Sequence, residues 1–335
     1  YYATGGDLYV TKCGNAACSS GNTTTAVDTT NAVGTWSSIV IGTDGFPVIS
    51  YYDTTNGDLR VTKCGNASCS SGNTTTAVDA DGNVGSYGAK AIAIGVDGFP
   101  IISHYVDVSY DLRVTKCGNA ACSSGNTSTS VDTANVVGSY SSITIGTDGL
   151  PIISYSDFTT SSLNVLKCGN ISCSSGNIIT AVDANNGSKT SITIGTDGLP
   201  VIAAYDSYVT ANIHVTKCGN AACSSGNTTT AVDTATIGAS YLSIAIGTDG
   251  LPVISYYDTT NGDLRVTKCG NASCSSGNTT TAVDTTNQVG LYTSIAIGSD
   301  GFPVISHNDN TTGDLRVTKC SDPACKNTSG SSLSA

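Results

Sequence analysis

Seven pairs of cysteines recur along the whole chain: Cys13/Cys18, Cys64/Cys69, Cys117/Cys122, Cys168/Cys173, Cys218/Cys223, Cys269/Cys274 and Cys320/Cys325. Paired thiols at one fixed spacing either oxidise to a disulfide or hold a soft metal as thiolates. A tetrahedral zinc site needs four donors, and the chain has only His104, His214 and His307 to complete seven two-thiol sets. Local disulfides are therefore expected, and with them an oxidising, extracellular setting. Closing so short a loop constrains the unfolded chain by about 2 kcal/mol per bond.

Other candidates for chemistry are departures from the repeat, because a single catalytic site does not need seven copies. They are Trp36, Lys90, His104, His214, His307 and Phe158. His104 and His307 stand where other copies carry Tyr51, Tyr155 and Tyr256, so they read as strand residues exchanged for others of similar size. No serine lies in a nucleophile-elbow sequence, and the chain contains no glutamate for a paired-carboxylate glycosidase. No catalytic residue is assigned, and the chain is expected not to be an enzyme.

The aspartates of the recurring G-x-D-G turn (Asp44, Asp97, Asp148, Asp197, Asp249, Asp300) are expected to bond backbone amides in their own turns. No cofactor is expected; calcium is the candidate ion, at D-T-T-N-G-D of residues 53–58 and 258–263, although the spacing fits an EF-hand loop poorly. Candidate glycosylation sequons begin at Asn22, Asn66, Asn73, Asn126, Asn170, Asn186, Asn227, Asn271, Asn278, Asn310 and Asn327.

The elements that carry these residues follow from the period. The first cysteines recur at steps of 50 to 53 residues, which marks an array of one supersecondary unit. Within residues 37–79, S-S-I-V-I-G and V-I-S-Y-Y-D are short β-rich runs joined by T-D-G-F-P. The Asn-Gly pair of T-T-N-G-D turns a hairpin into L-R-V-T-K-C, and T-T-T-A-V-D follows the cysteine loop. No stretch shows helical periodicity. The predicted class is all-β: a β-propeller of four-stranded antiparallel blades, six complete and a partial seventh, with one disulfide per repeat.

The outer motif of D-L-R-V-T-K-C type occurs seven times, while the inner motif occurs six times, at Ile39, Ile92, Ile143, Ile192, Ile244 and Ile295. Residues 1–28 thus form a half blade, expected to act as a closing latch or to exchange strands with a neighbouring subunit, beside propeller repeats over 29–335. The net charge of −11 disfavours nucleic acid. No apolar run approaches the roughly 18 residues that span a bilayer, so no membrane insertion is expected. Methionine is absent even at residue 1, which suggests a processed, mature chain.

The segment S-I-A-I-G-T-D-G-L-P-V-I-S-Y-Y-D-T-T-N-G-D-L-R-V-T-K-C at 243–269 resembles a propeller repeat common in secreted bacterial proteins. The resemblance covers nearly the whole chain and implies architecture more than activity. One departure is that C-S-S-G-N replaces the usual aromatic residue before the fourth strand, so disulfides are expected to pack the rim. The leading expectation for function is an extracellular structural or adhesive repeat protein that self-associates, as the subunit of a surface filament coupled through the half blade. The alternative is a lectin-like glycan-binding propeller using repeated Tyr, Asp and Asn, with residues such as Tyr51, Tyr52, Tyr105, Tyr256 and Tyr257. Multivalent binding would require equivalent exposed residues in every copy.

Overall fold

In the computed structural model, which describes all residues except 4, 85–90, 185–186, 207–211, 235–238 and 334–335, every regular element is a β-strand. The turn chemistry explains the repeat. In blade one, Gly45 takes φ +81°, Asp44 Oδ1 accepts the Phe46 amide at 3.1 Å, and Pro47 opens the next strand, where its missing donor costs no ladder bond. The other Asp44 oxygen takes Lys63 Nζ at 2.8 Å from the third strand, and this pair recurs in all six blades.

Six four-stranded antiparallel sheets, each in simple sequential order, form the blades of a β-propeller. Blade one runs through Val33–Ile41, Pro47–Asp53, Asp58–Lys63 and Thr74–Asp79. The first strand is longer than the sequence suggested, because the connecting residues Val33–Trp36 join the ladder around a bulge. Thr35 faces Tyr52 and Ser38 faces Ser50, so Trp36 and Ser37 together oppose Tyr51, with Trp36 held at φ +53°. Tyr140, Tyr241 and Tyr292 occupy the same left-handed bulge position in other blades. Ahead of blade one, Leu8–Lys12 and Thr23–Asp28 form a two-stranded sheet.

The chain divides into two compact units, the first holding most of residues 1–180 and the second residues 181–335 with the loop 13–22. In the first, Val48, Leu59 and Val61 of blade one pack against Ile92, Ile102 and the Cys117–Cys122 disulfide of blade two. In the second, Val201, Ala203 and Val215 pack against Ile244, Ile254 and the Cys269–Cys274 disulfide.

All seven expected disulfides are formed: Cys13–Cys18, Cys64–Cys69, Cys117–Cys122, Cys168–Cys173, Cys218–Cys223, Cys269–Cys274 and Cys320–Cys325. Their setting adds to the sequence reading in two respects. The disulfides were expected to pack the rim, and the second cysteines Cys18, Cys69, Cys122, Cys173, Cys223, Cys274 and Cys325 are only 0–3% exposed. Cys173 joins Leu112 and Val114 of the preceding blade in one apolar cluster, and Cys325 joins Val253, Leu264 and Val266 in another. With Cys69, Cys122 and Cys274 in clusters of the same kind, these sulfurs belong to the contact between neighbouring sheets. The spacing also gave no sign of the backbone: the same seven second cysteines, Cys18, Cys173, Cys223 and Cys325 among them, all take positive φ, between +50° and +54°. In each loop the two Cα atoms, five residues apart in sequence, lie 4.7–4.8 Å from each other.

A polar clasp supplements this packing. The aspartate that ends the fourth strand accepts bonds from the following blade: Asp28 takes Tyr51 OH at 2.6 Å and Arg60 at 2.8 Å, and Asp132 takes Tyr155 OH at 2.7 Å. In the second unit Tyr256 and Arg265 engage Asp233 in the same way. Three tyrosines that lie fully buried are therefore satisfied at the hydroxyl.

Candidate functional site

Most residues marked by chemistry in the sequence serve the fold. The fourteen cysteines are all spent in disulfides, which leaves no thiol as nucleophile or metal ligand. His104 is fully buried, bonds Thr115 Oγ1 at 2.9 Å and lies 3.5 Å from Asp79, the place and partners that Tyr51 has beside Asp28 and Thr62. Burial pushes its imidazole down to about 4, and His307, against Thr318 and Asp284, is pushed down to about 4 for the same reason. His214 sits on the third strand of blade four, paired with Ala204. Lys90 and Asn186 lie outside the described residues.

The D-T-T-N-G-D turn is an Asx-type turn: Asp53 Oδ1 accepts the amides of Thr55 and Asn56, and Oδ2 accepts Asn56 Nδ2 at 2.8 Å. The sequon asparagines brace loops. Asn22, Asn73, Asn126, Asn227 and Asn278 each donate Nδ2 to the carbonyl of the second cysteine of their loop, respectively Cys18, Cys69, Cys122, Cys223 and Cys274, at 2.6 to 2.8 Å. Asn66, Asn170 and Asn271 donate Nδ2 to nearby serines, Asn310 to Gln288 Oε1 and Asn327 to Asp322. The nitrogen that would carry a glycan is thus engaged at all ten described sequons.

One cleft in the first unit departs from this structural use. Tyr105, Asp107, Tyr110, Val136, Ser139, Tyr140 and Phe158 line a space of about 330 Å³ between blades two and three. Blade two replaces D-T-T-N-G-D with Val106-Asp107-Val108-Ser109-Tyr110-Asp111, so Tyr110 takes the position of Gly57, Gly262 and Gly313. It keeps the glycine's main-chain bonds, donating to Val106 O at 2.8 Å and accepting from Val137 N at 3.0 Å, and it keeps the left-handed backbone at φ +63°. That conformation costs a residue with a Cβ about 1–2 kcal/mol. Burial offsets this only in part, since Tyr110 is 52% exposed. Tyr140, also left-handed, meets Phe158 edge-on at 6.4 Å and Trp36 edge-on at 6.4 Å, while Tyr105 lies 6.4 Å from Tyr110.

Polar geometry in the cleft is fixed from the neighbouring blade. Asn83 donates Nδ2 to Asp107 Oδ2 at 2.8 Å and accepts the hydroxyl of Tyr52 on its other side. The result is a set of apolar rings around an oriented carboxylate, which suits a ligand with C–H faces and hydroxyl edges. Phe158 and Trp36 were visible in the sequence as departures, and Tyr105 as one of many tyrosines. Tyr110 and Asp107 were not singled out, although a bulky residue in the glycine slot of a hairpin turn was the available signal.

A second, polar cleft of about 260 Å³ surrounds Asp284, Arg316 and the small residues Gly330, Ser331 and Ser332. Its charged pair, 3.0 Å apart, is a further instance of the clasp that Asp28 and Arg60 form.

No protein-family model matches the chain, and no curated protein matches it. Solved structures do. The SapL1 lectin in complex with alpha methyl fucoside aligns over 90% of this chain and 97% of its own, with TM-score 0.58 and 11% identity. A Penicillium chrysogenum alpha-L-arabinanase complexed with arabinobiose aligns over 89% and 92%, with TM-score 0.53 and 12% identity. A point mutant of an alpha-L-arabinofuranosidase from Fusarium graminearum, with an iminosugar inhibitor, aligns over 89% and 92%, with TM-score 0.51 and 11% identity. At these identities the likeness is one of fold. The expectation that the chain is not an enzyme is corrected by these matches: glycosidases share this architecture, and the missing sequence markers gave no ground for excluding catalysis.

Proposed function

We propose that this chain is an extracellular carbohydrate-binding propeller of adhesive type, taking a neutral sugar in the cleft of Tyr105, Tyr110, Tyr140, Phe158 and Asp107. The observation that carries the reading is the placement of Tyr110: a strained backbone is spent on presenting an exposed ring where the repeat uses glycine. Aromatic faces stack on the C–H face of a pyranose or furanose, and the Asp107 carboxylate accepts hydroxyl donors. The same carboxylate disfavours uronic and sialic acids. Seven disulfides support an oxidising habitat, and the sequence resemblance to secreted bacterial repeats agrees with it. The lectin and arabinanase neighbours lend support at the level of fold.

The test is a glycan array followed by titration calorimetry on the best neutral glycoside, repeated with Phe158→Ala and Asp107→Ala. Saturable binding lost in both variants is expected; equal binding by all three proteins would refute the site. Release of free sugar from arabino-oligosaccharides during the same incubation would extend the site from binding to turnover. Filament assembly through residues 1–28 is a second reading, favoured by one observation, that Leu8–Lys12 and Thr23–Asp28 form a sheet of two strands where each blade has four. Concentration-dependent assembly of the purified chain would carry it.

A further inference from the structure

The lysine that precedes the first cysteine of each blade is spent on the fold: Lys63, Lys116, Lys167, Lys217, Lys268 and Lys319 each hold a turn aspartate at 2.8–2.9 Å. Lys189 has a different place. Blade four reaches its inner isoleucine, Ile192, nine residues after Asp183, whereas Ile244 and Ile295 follow Asp233 and Asp284 by eleven. The missing pair is the bulge. The first strand of blade four pairs without a register shift from Lys189↔Tyr205 to Ile194↔Pro200, while those of blades five and six shift before Ser243 and Ser294. Three residues before the isoleucine, where blades five and six carry Tyr241 and Tyr292, blade four carries Lys189.

These three side chains of the second unit meet. The Lys189 ammonium stands 4.3 Å from the centre of the Tyr241 ring, over its face, and the Tyr241 and Tyr292 rings lie 4.2 Å apart at 46°. Both tyrosines hold the left-handed backbone, at φ +57° and +54°, a conformation that disfavours residues with a Cβ. Tyr292 is nonetheless 53% exposed, while Lys189 and Tyr241 are half-buried. Burial pushes the Lys189 ammonium down to about 8, so at neutral pH it keeps its charge with part of its water removed. An anion gains more from such a cation than from one in full solvent, because less water screens the pair. One ring separates the amine from the exposed Tyr292 face, about the reach of a disaccharide.

We propose that Lys189, Tyr241 and Tyr292 form a second saccharide site, one that takes an acidic sugar of the uronate class. The carboxylate pairs with Lys189 Nζ, which the Tyr241 ring holds in place, and the C–H face of the adjoining sugar stacks on Tyr292. The site goes beyond the neutral-sugar cleft, whose Asp107 repels the same carboxylate, and shares none of its residues. A chain of net charge −11 repels acidic saccharides at long range. At physiological salt that repulsion is screened beyond about 8 Å, so the local cation decides. A tyrosine at this place, as in blades five and six, offers a ring with no preference for acid; the lysine supplies the selection.

The test is titration calorimetry of the intact chain with trigalacturonate, with its methyl ester, which keeps the rings and loses the charge, and with sodium sulfate. Saturable binding of the acid is expected, weakened by added salt. Lys189→Gln should weaken it at least roughly tenfold and Lys189→Arg should retain it. Tyr292→Ala changes an exposed side chain, so it should keep the melting profile and still weaken the acid roughly tenfold. Ester binding that is indifferent to Lys189→Gln belongs to the cleft of Tyr110, which keeps the failure of one reading separate from that of the other. Absence of acid binding overturns the proposal, as does a Lys189→Gln variant that melts like the parent and binds the acid undiminished. So does ester binding that Lys189→Gln weakens as much as acid binding, because the ammonium then reads no charge. Sulfate bound as tightly as the acid also overturns it, because the rings then contribute nothing.

Discussion

Tyr110→Gly should weaken sugar binding without weakening the fold. The substitution restores the residue found at this turn in four other copies (Gly6, Gly57, Gly262 and Gly313), and both main-chain bonds of Tyr110 are ones that Gly57 already makes, to Asp53 O at 2.9 Å and from Val84 N at 2.8 Å. Releasing the left-handed strain gains about 1–2 kcal/mol, and the extra freedom of an unfolded glycine returns about 0.5–1 kcal/mol of that. A net gain of about 0.5–1 kcal/mol, set against an unfolding entropy of about 0.7 kcal/mol/K for a chain of this length, raises Tm by about 1 °C. Loss of one stacking ring costs binding about 1–1.5 kcal/mol, or roughly tenfold in Kd. Calorimetric unfolding and titration with the best neutral glycoside read both quantities on one preparation. A Tm lowered by several degrees would refute the claim that Tyr110 is a strained, non-structural residue, and an unchanged Kd would refute its part in the site.

Acid should destabilise the chain through its buried histidines: the unfolded imidazole takes a proton near 6.5 while the folded ones resist until about 4, so stability is full above pH 6.5 and is lost as pH falls toward 4. The loss is about 3 kcal/mol for each histidine, and His104→Tyr with His307→Tyr, which restore the repeat's own residue, should flatten the Tm-against-pH curve between pH 4.5 and 7. Replacing one cysteine pair, Cys64→Ala with Cys69→Ala, should lower the unfolding free energy by about 2 kcal/mol in denaturant titration, and a loss near zero would show that the loop is held by its asparagines alone. Asp28→Asn removes the carboxylate that receives Tyr51 and Arg60 and should cost about 3 kcal/mol, with increased exchange at the interface of the leading hairpin and blade one as the local sign.

Architecture was legible because the repeat states it many times. Turn residues, alternation in L-R-V-T-K-C and the fixed cysteine spacing all point to one blade, and each copy repeats the message. His104 and His307 were also read correctly as exchanged tyrosines, since their sequence position sufficed. What escaped was long-range. That Lys63 reaches the Asp44 turn, or that Asp28 closes the next blade, depends on partners 19 and 32 residues apart meeting in space. The cysteines show the same division: spacing gave the pairing, but the burial of Cys173 and Cys325 against the preceding blade needed the neighbour in place. The cleft was hidden for another reason: Asp107 and Tyr110 look like loop noise until the backbone shows Tyr110 in a glycine conformation and Phe158 arriving from the following blade. Trp36 and Tyr140 sit in bulges that break the two-residue alternation marking a strand, so their place in the first strands was not legible. The sequence also invited too firm a statement about catalysis, since a fold that hosts glycosidases carries no obligatory local signature for them.

The most direct measurement is a crystal structure of the chain soaked with the neutral glycoside that binds best in solution. The account requires the sugar ring to stack on Tyr110 or Tyr140, beside Phe158, with a hydroxyl bonded to Asp107. A sugar ordered at any other place, with this cleft empty, would contradict it.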